Sequence, residues 1–170
     1  MNNVVIDVSG LMEEIGSERH LSFEKEFLPI ETEATKIEFV EPVKFDISLI
    51  SAKGGVRVKG HIKSALKLVC SRCLNEFSFP VDWQIDEVFT TEEIKGEESL
   101  TIRNGAIDLG PPVEEEFVLA IPIKPLCSEA CQGICPICGQ IITGKHKPHE
   151  EVKIDARLEM LKKLLKNEEG

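Results

Sequence analysis

The strongest signal along the chain is a period of two. Val43, Phe45, Ile47 and Leu49 alternate with Lys44, Asp46 and Ser48, the pattern of a strand with one face buried and one in water. Gly54-Gly55 follows and predicts a hairpin turn. Beyond it, Val56, Val58, Ile62, Leu66 and Leu68 take one parity, and Arg57, Lys59, His61, Lys63 and Lys67 take the other. A third run sets Phe77, Phe79, Val81, Trp83 and Ile85 against Glu76, Ser78, Asp82, Gln84 and Asp86. Three long antiparallel strands, wet on one face, are the simplest assembly. The aromatic row reads as core, because a base-stacking platform needs exposed rings among basic residues.

Weaker patterns flank these runs. Val4 to Val8 reads as a short strand before a turn at Ser9-Gly10, Leu11 to Gly16 as one helical turn, and Leu21 to Ile30 as a further strand. The polar, acidic stretch from Thr90 to Gly105 reads as a loop. A helix is predicted after Pro111-Pro112, with Glu114, Glu115 and Glu116 in its first turn at the positive end of the dipole. Pro122 and Pro125 end it. Near the end of the sequence, Ile154, Leu158, Leu161 and Leu165 form one helical stripe, with Glu159 and Lys163 one turn apart. The fold class expected is α+β: an antiparallel β-sheet with a few helices and a zinc-knuckle-type cysteine region. Residues 1–93 form the mainly antiparallel β region. Residues 94–170 supply a helix, the cysteine-rich segment and a C-terminal helix, packed on the first region as one domain.

The composition, 42% apolar and 29% charged, is ordinary for a globular chain that buries its own core. The opening residues lack the basic and long apolar regions of a secretory signal. No apolar run approaches the roughly 20 residues of a membrane span. The expected location is therefore the cytoplasm, where thiols stay reduced and six cysteines point to metal rather than disulfides. A net charge of −10 provides no global field to attract RNA or an anionic membrane.

The cysteines fall in short pairs: Cys70 and Cys73, Cys127 and Cys131, Cys135 and Cys138. His146 and His149 make a fourth pair. Such spacing lets one tight turn aim two ligands at one ion, and zinc takes four. Eight candidates fill two tetrahedral sites. Spacing alone permits a compact site of Cys127, Cys131, Cys135 and Cys138, or a ribbon joining Cys70 and Cys73 to Cys135 and Cys138. The favoured partition sends Cys70, Cys73, Cys127 and Cys131 to one zinc, and Cys135, Cys138, His146 and His149 to another. Gly139 follows the third pair, where a knuckle favours positive φ. The histidines lie in a polar loop and are equally read as solvated bystanders, which leaves one zinc. A redox Cys-x-x-Cys would open a helix after a strand, whereas Cys70 to Cys73 lies between two strands.

The stretches VCSRCLNEFSFPVD from Val69, LAIPIKPLCSEACQGICPICG from Leu119 and IDARLEMLKKLL from Ile154 resemble the YceD family. The resemblance implies one YceD-like domain and a role in large-subunit ribosomal RNA accumulation and ribosome assembly. It also implies that the first four cysteines belong together, since some members keep both of those pairs and lack the third. Two departures stand out. His146 and His149 replace a Cys-x-Cys that follows the third pair in many members, and Ala156 replaces a proline at the start of the last helix.

Three functions compete: a non-catalytic zinc-stabilised assembly factor, a direct ribosomal RNA binder and a metallohydrolase. No HExxH, nucleophile elbow or phosphate loop supports catalysis, and all-thiolate zinc is of the closed, structural kind. The stripe Arg57, Lys59, His61, Lys63 and Lys67 is the best RNA candidate, and its plainer reading is a solvated outer face. The expectation is a non-enzyme with no small-molecule substrate and no membrane partner. Its partner is expected to be a basic ribosomal protein or assembly factor, with ribosomal RNA reached indirectly. Glu92, Glu93, Glu97, Glu98, Glu114 and Glu115 are expected to be exposed and to attract that partner. Plain solubility is the competing reading of the same acids.

Overall fold

The three alternating runs are the three long strands of a computed structural model that describes residues 2–31, 36–91, 100–142 and 146. In chain order the strands are β1 (Val5–Asp7), β2 (Glu18–Lys25), β3 (Ile30–Glu31), β4 (Lys36–Phe39), β5 (Val43–Ala52), β6 (Gly55–Val69), β7 (Glu76–Thr90) and β8 (Ala106–Asp108). One helix, α1, spans Gly110–Ala120. The described residues are thus mostly antiparallel β-sheet with a single short helix. Residues Leu11 to Gly16 form turns rather than the helical turn expected of them. The C-terminal stripe of Ile154, Leu158, Leu161 and Leu165 lies outside the described residues.

The chain forms two compact units, Met1–Cys131 and Gln132–Gly170. The first holds every strand named above and α1, which therefore shares a unit with the sheet. Its main sheet runs β2-β5-β6-β4-β3, with β7 paired along the remaining side of β6. A two-residue turn at Lys53-Gly54 joins β5 to β6, with Ala52 opposite Gly55 and Gly54 at φ 85°. β1 and β8 pair separately.

Alternation decides which face is dry. Val43, Phe45, Ile47 and Leu49 of β5, Val56, Val58, Ile62 and Leu66 of β6, and Val81, Ile85 and Phe89 of β7 are buried in one cluster. Val4, Val8, Leu11, Phe27, Ile30, Ile37, Leu68, Ile107, Leu109, Val113 and Phe117 complete it. Phe77, Phe79 and Trp83 pack against its margin, half-buried. The aromatic row is core, as its period indicated.

Side-chain clamps hold α1 and the N-terminal segment over the sheet. Asp108 Oδ1 accepts from Val4 N–H at 2.7 Å and from Gly110 N–H, the first amide of α1, at 2.9 Å. Buried Asn2 donates through its backbone N–H and its Nδ2 to Glu114 Oε1, both at 2.8 Å. The helix begins earlier than expected. Pro111 and Pro112 lie inside its first turn and no acid does, so Glu114 serves Asn2 rather than the dipole and is half-buried rather than exposed.

Gly60 fixes the spacing of the central strands. A Cβ there would sit 2.1 Å from the Asp46 carbonyl oxygen and 2.6 Å from Ile47 Cα. Gly60→Ala must therefore push β5 and β6 apart in mid-sheet. It is expected to destabilise by about 1–3 kcal/mol, the usual range for overpacking. Urea unfolding checks this, and an unchanged midpoint would show that the strands yield freely.

Candidate metal centre

The β6–β7 connection is built as a knuckle. Cys70 N–H donates to Asn75 O at 2.9 Å, Leu74 N–H to Cys70 O at 3.0 Å, and Arg72 N–H to Cys70 Sγ at 3.5 Å. The third cysteine pair repeats all three bonds. Cys135 N–H donates to Gln140 O at 2.8 Å, Gly139 N–H to Cys135 O at 2.9 Å, and Ile137 N–H to Cys135 Sγ at 3.4 Å. Gly139 has φ 71°, as its position in the sequence predicted, and Leu74 takes the same left-handed turn with φ 60°. Two Cys-x-x-Cys segments therefore adopt one local geometry, with backbone N–H groups aimed at the first sulfur of each.

In the first unit, the segment after α1 is brought to the Cys70 knuckle by its backbone. Ser71 N–H donates to Pro125 O at 2.8 Å. Arg72 Nη1 donates to Cys131 O at 2.7 Å and to Glu129 O at 3.3 Å. Arg72 is a clamp that cysteine spacing gave no means of finding. Cys70 Sγ then lies 3.8 Å from Cys131 Sγ, and Cys73 Sγ lies 3.7 Å from Cys127 Sγ. All four sulfurs lie within 4.8 Å of one another. A tetrahedral ion with sulfur ligands at about 2.3 Å sets its sulfurs about 3.8 Å apart. The donor set fits such an ion in both distance and softness.

The thiols carry the mark of that crowding. Backbone N–H groups, first those of Cys127 and Cys73, hold the Cys70 thiol down to about 6. The neighbouring thiols of Cys73 and Cys131, with burial, push the Cys127 thiol up to about 12. Cys73 is also raised, by burial and by Cys70 and Cys131, against the lowering effect of the Asn75 N–H. Four sulfurs this close cannot all carry charge unless a cation shares the space.

The second unit brings Cys135, Cys138 and His146 together within the same limit. Cys138 Sγ lies 3.3 Å from His146 Nε2, and the Cys138 N–H leads in holding the Cys135 thiol down. His149 lies outside the described residues. Among the described residues, the sulfurs fall into two groups, Cys70, Cys73, Cys127 and Cys131 in the first unit and Cys135 and Cys138 in the second.

The basic stripe is also resolved. Arg57 Nε meets Asp86 Oδ1 at 2.6 Å, Lys59 meets Asp86 at 3.6 Å, and Lys63 meets Asp82 at 2.9 Å. His61 faces Asp82 at 3.4 Å, and Lys67 lies 2.8 Å from Glu76 and 3.8 Å from Glu38. Each basic residue of the stripe has an acidic partner, supplied by β7 or β4. These contacts hold the carboxyls of Asp82 and Asp86 below the usual range, the hydrogen bonds from Lys63 and Arg57 being the leading causes. No helix among the described residues is long and apolar enough to cross a membrane.

Comparison with known proteins places this arrangement. YlbN of Bacillus subtilis strain 168, described only as an uncharacterized protein, is 31% identical over 137 residues, covering 72% of this chain and 78% of YlbN. Rv2926c of Mycobacterium tuberculosis H37Rv is 29% identical over 126 residues, 71% of this chain and 60% of that protein. ML1660 of Mycobacterium leprae is 25% identical over 127 residues, 71% of this chain and 58% of that protein. The chain therefore spans less than two thirds of the length of these mycobacterial relatives. No solved structure matches. The family described as large ribosomal RNA subunit accumulation protein YceD matches residues 58–165, from within β6 through β7, α1 and both cysteine clusters. On that match, over more than half its length, the chain belongs to the YceD family.

Proposed function

We propose that this protein is a non-catalytic, zinc-stabilised factor that supports large-subunit ribosomal RNA accumulation and ribosome assembly in the cytoplasm by binding a basic ribosomal protein or assembly factor. The family description supplies the ribosomal setting. The observation that carries the protein-partner reading is the pairing of the stripe Arg57, Lys59, His61, Lys63 and Lys67 with Asp82, Asp86, Glu76 and Glu38. Exposed pairs of this kind contribute little stability, but they leave the face nearly neutral. RNA affinity comes from cations that neutralise phosphate and release counterions, and these cations are already engaged. Glu115 and Glu116 are exposed, as a surface for a basic protein requires. Glu92, Glu93, Glu97 and Glu98, expected in the same role, lie outside the described residues.

The test is binding of the intact chain, at physiological salt, to purified large-subunit ribosomal proteins and to protein-free ribosomal RNA. Tight binding to a basic protein and weak binding to the RNA are expected. Tight RNA binding that falls steeply with salt and weakens in Lys59→Glu, with no affinity for any basic protein, would contradict the reading.

Zinc is assigned to Cys70, Cys73, Cys127 and Cys131 as a closed thiolate site, and a second ion to Cys135, Cys138 and His146 with His149. Neither of two shallow surface depressions, of about 390 and 210 Å3, is lined by a cysteine. Zinc uptake must release the protons of thiols raised above the usual range, including those of Cys73 and Cys127. Affinity should therefore rise with pH and be lost as pH falls. Calorimetric titration of zinc in two buffers of different ionisation enthalpy checks this. Heats that do not depend on the buffer would contradict it.

A further inference from the structure

The geometry points to the outer edge of β7, from Asp82 to Val88, as the place where this protein takes an extended, lysine- or arginine-bearing segment of a basic partner as an added strand. The inference rests on the protein-partner reading above and gives it a location. β7 pairs with β6 along its whole length. Among the described residues its other side meets only the bridge from Thr90 to Thr101.

Two contacts fix which backbone groups face outward. Thr90 N–H donates to Leu100 O at 2.9 Å, and Thr90 O accepts from Ile102 N–H at 2.8 Å. Thr90 therefore turns both groups away from β6. Ala65, opposite Pro80, gives its carbonyl to Val40 N–H at 2.8 Å on the far side of β6. Ala65 and Pro80 are thus a non-hydrogen-bonded pair, and the nitrogen of Pro80, which has no hydrogen, faces the open edge. An antiparallel ladder alternates strictly. Asp82, Gln84, Asp86 and Val88 therefore present N–H and C=O groups outward. Pro80 limits the edge on one side and the Thr90 bridge on the other. Such a row is a template for an incoming strand.

Charge selects the strand. Glu87 lies on the inner parity of β7, half-buried, and burial followed by Glu116, Asp86 and Glu115 raises its carboxyl. Among the described residues no cation pairs with Glu87, Glu115 or Glu116, in contrast to Asp82 and Asp86 on the outer face. A strand added beside β7 would set one row of side chains along Trp83, Ile85 and Glu87. Apolar residues fit beside the first two. A lysine or arginine beside Glu87 would relieve an acidic group that no cation among the described residues pairs with.

Backbone amide exchange on the intact protein tests this, with an alternating lysine–valine peptide of about ten residues and its glutamate–valine counterpart as probes. In the free protein the amides of Asp82, Gln84, Asp86 and Val88 should exchange fast while those of Ile85 and Glu87 are protected. The lysine peptide should slow those four. Gln84→Pro removes an outward donor without touching the β6 ladder, and Glu87→Gln removes the charge. Each should weaken peptide binding about tenfold, the equivalent of one lost hydrogen bond or ion pair. Should Gln84→Pro fail to fold, Glu87→Gln and the exchange pattern decide. Four amides already protected in the free protein would mean that the chain itself or a second copy fills the edge, and would overturn the proposal. So would peptide binding that leaves them fast, equal binding of the two peptides, or binding of neither. Retention of no basic large-subunit protein by the chain would instead overturn the partner reading alone.

Discussion

Cys70→Ser is expected to destabilise the first unit by on the order of 5 kcal/mol, about half of what a structural zinc contributes in small peptides. The discount reflects a sheet that has its own core. The effect is large because of what the sulfurs join. Cys70 and Cys73 end the β6–β7 hairpin, whereas Cys127 and Cys131 come from the segment beyond α1, more than fifty residues on. A metal there closes a long loop and fixes the far end of the two longest strands. Cys70 is also wholly buried, so a serine hydroxyl would be left in a thiol-lined site. His146→Ala should do less, since Cys135, Cys138 and His146 close only a local loop. Denaturant unfolding of both variants in zinc-replete buffer decides the order. An unchanged midpoint in Cys70→Ser beside a collapse in His146→Ala would sink this assignment.

Phe117→Ala should cost about 3–5 kcal/mol, the range for truncating a buried aromatic side chain. Phe117 is wholly buried and meets Trp83 at 4.6 Å, Phe39 at 4.8 Å and Phe27 at 6.1 Å between ring centroids. All three are edge-to-face, an arrangement that adds to the burial itself. Phe117 joins α1 to aromatic rings of both β4 and β7. Trp83 is the sole tryptophan, so its emission reports this contact directly. Loss of stability should come with a red-shifted native emission. A variant as stable as the parent, with the same spectrum, would mean that α1 is not seated on the sheet as described.

The sheet was legible because its cause is local. A period of two with one face in water needs only the residues of each strand, and β5, β6 and β7 follow it through the full register. The start of α1 lies before the prolines, at Gly110, for a physical reason. Prolines tolerate the first turn of a helix as readily as they precede one, and the hydrogen bond from Gly110 N–H to Asp108 that opens the helix leaves no spacing signal. Short elements such as β4 and β8 pair with distant partners, β6 and β1, which no local pattern encodes.

At the cysteine site, spacing identified the ligand candidates but left three partitions open. Arg72 and the bond from Ser71 to Pro125, which bring Cys127 and Cys131 to Cys70 and Cys73, are long-range contacts. The basic stripe was visible as a run of cations. Its compensation by Asp82 and Asp86 was not, because cross-strand pairing depends on the β6–β7 register.

Metal content tests the central claim most directly. The intact chain, purified under reducing conditions without chelator, is assayed for zinc by elemental analysis beside Cys70→Ser. One or two zinc ions per chain are predicted, with one fewer in the variant. Parent protein that is folded and free of zinc would contradict the account.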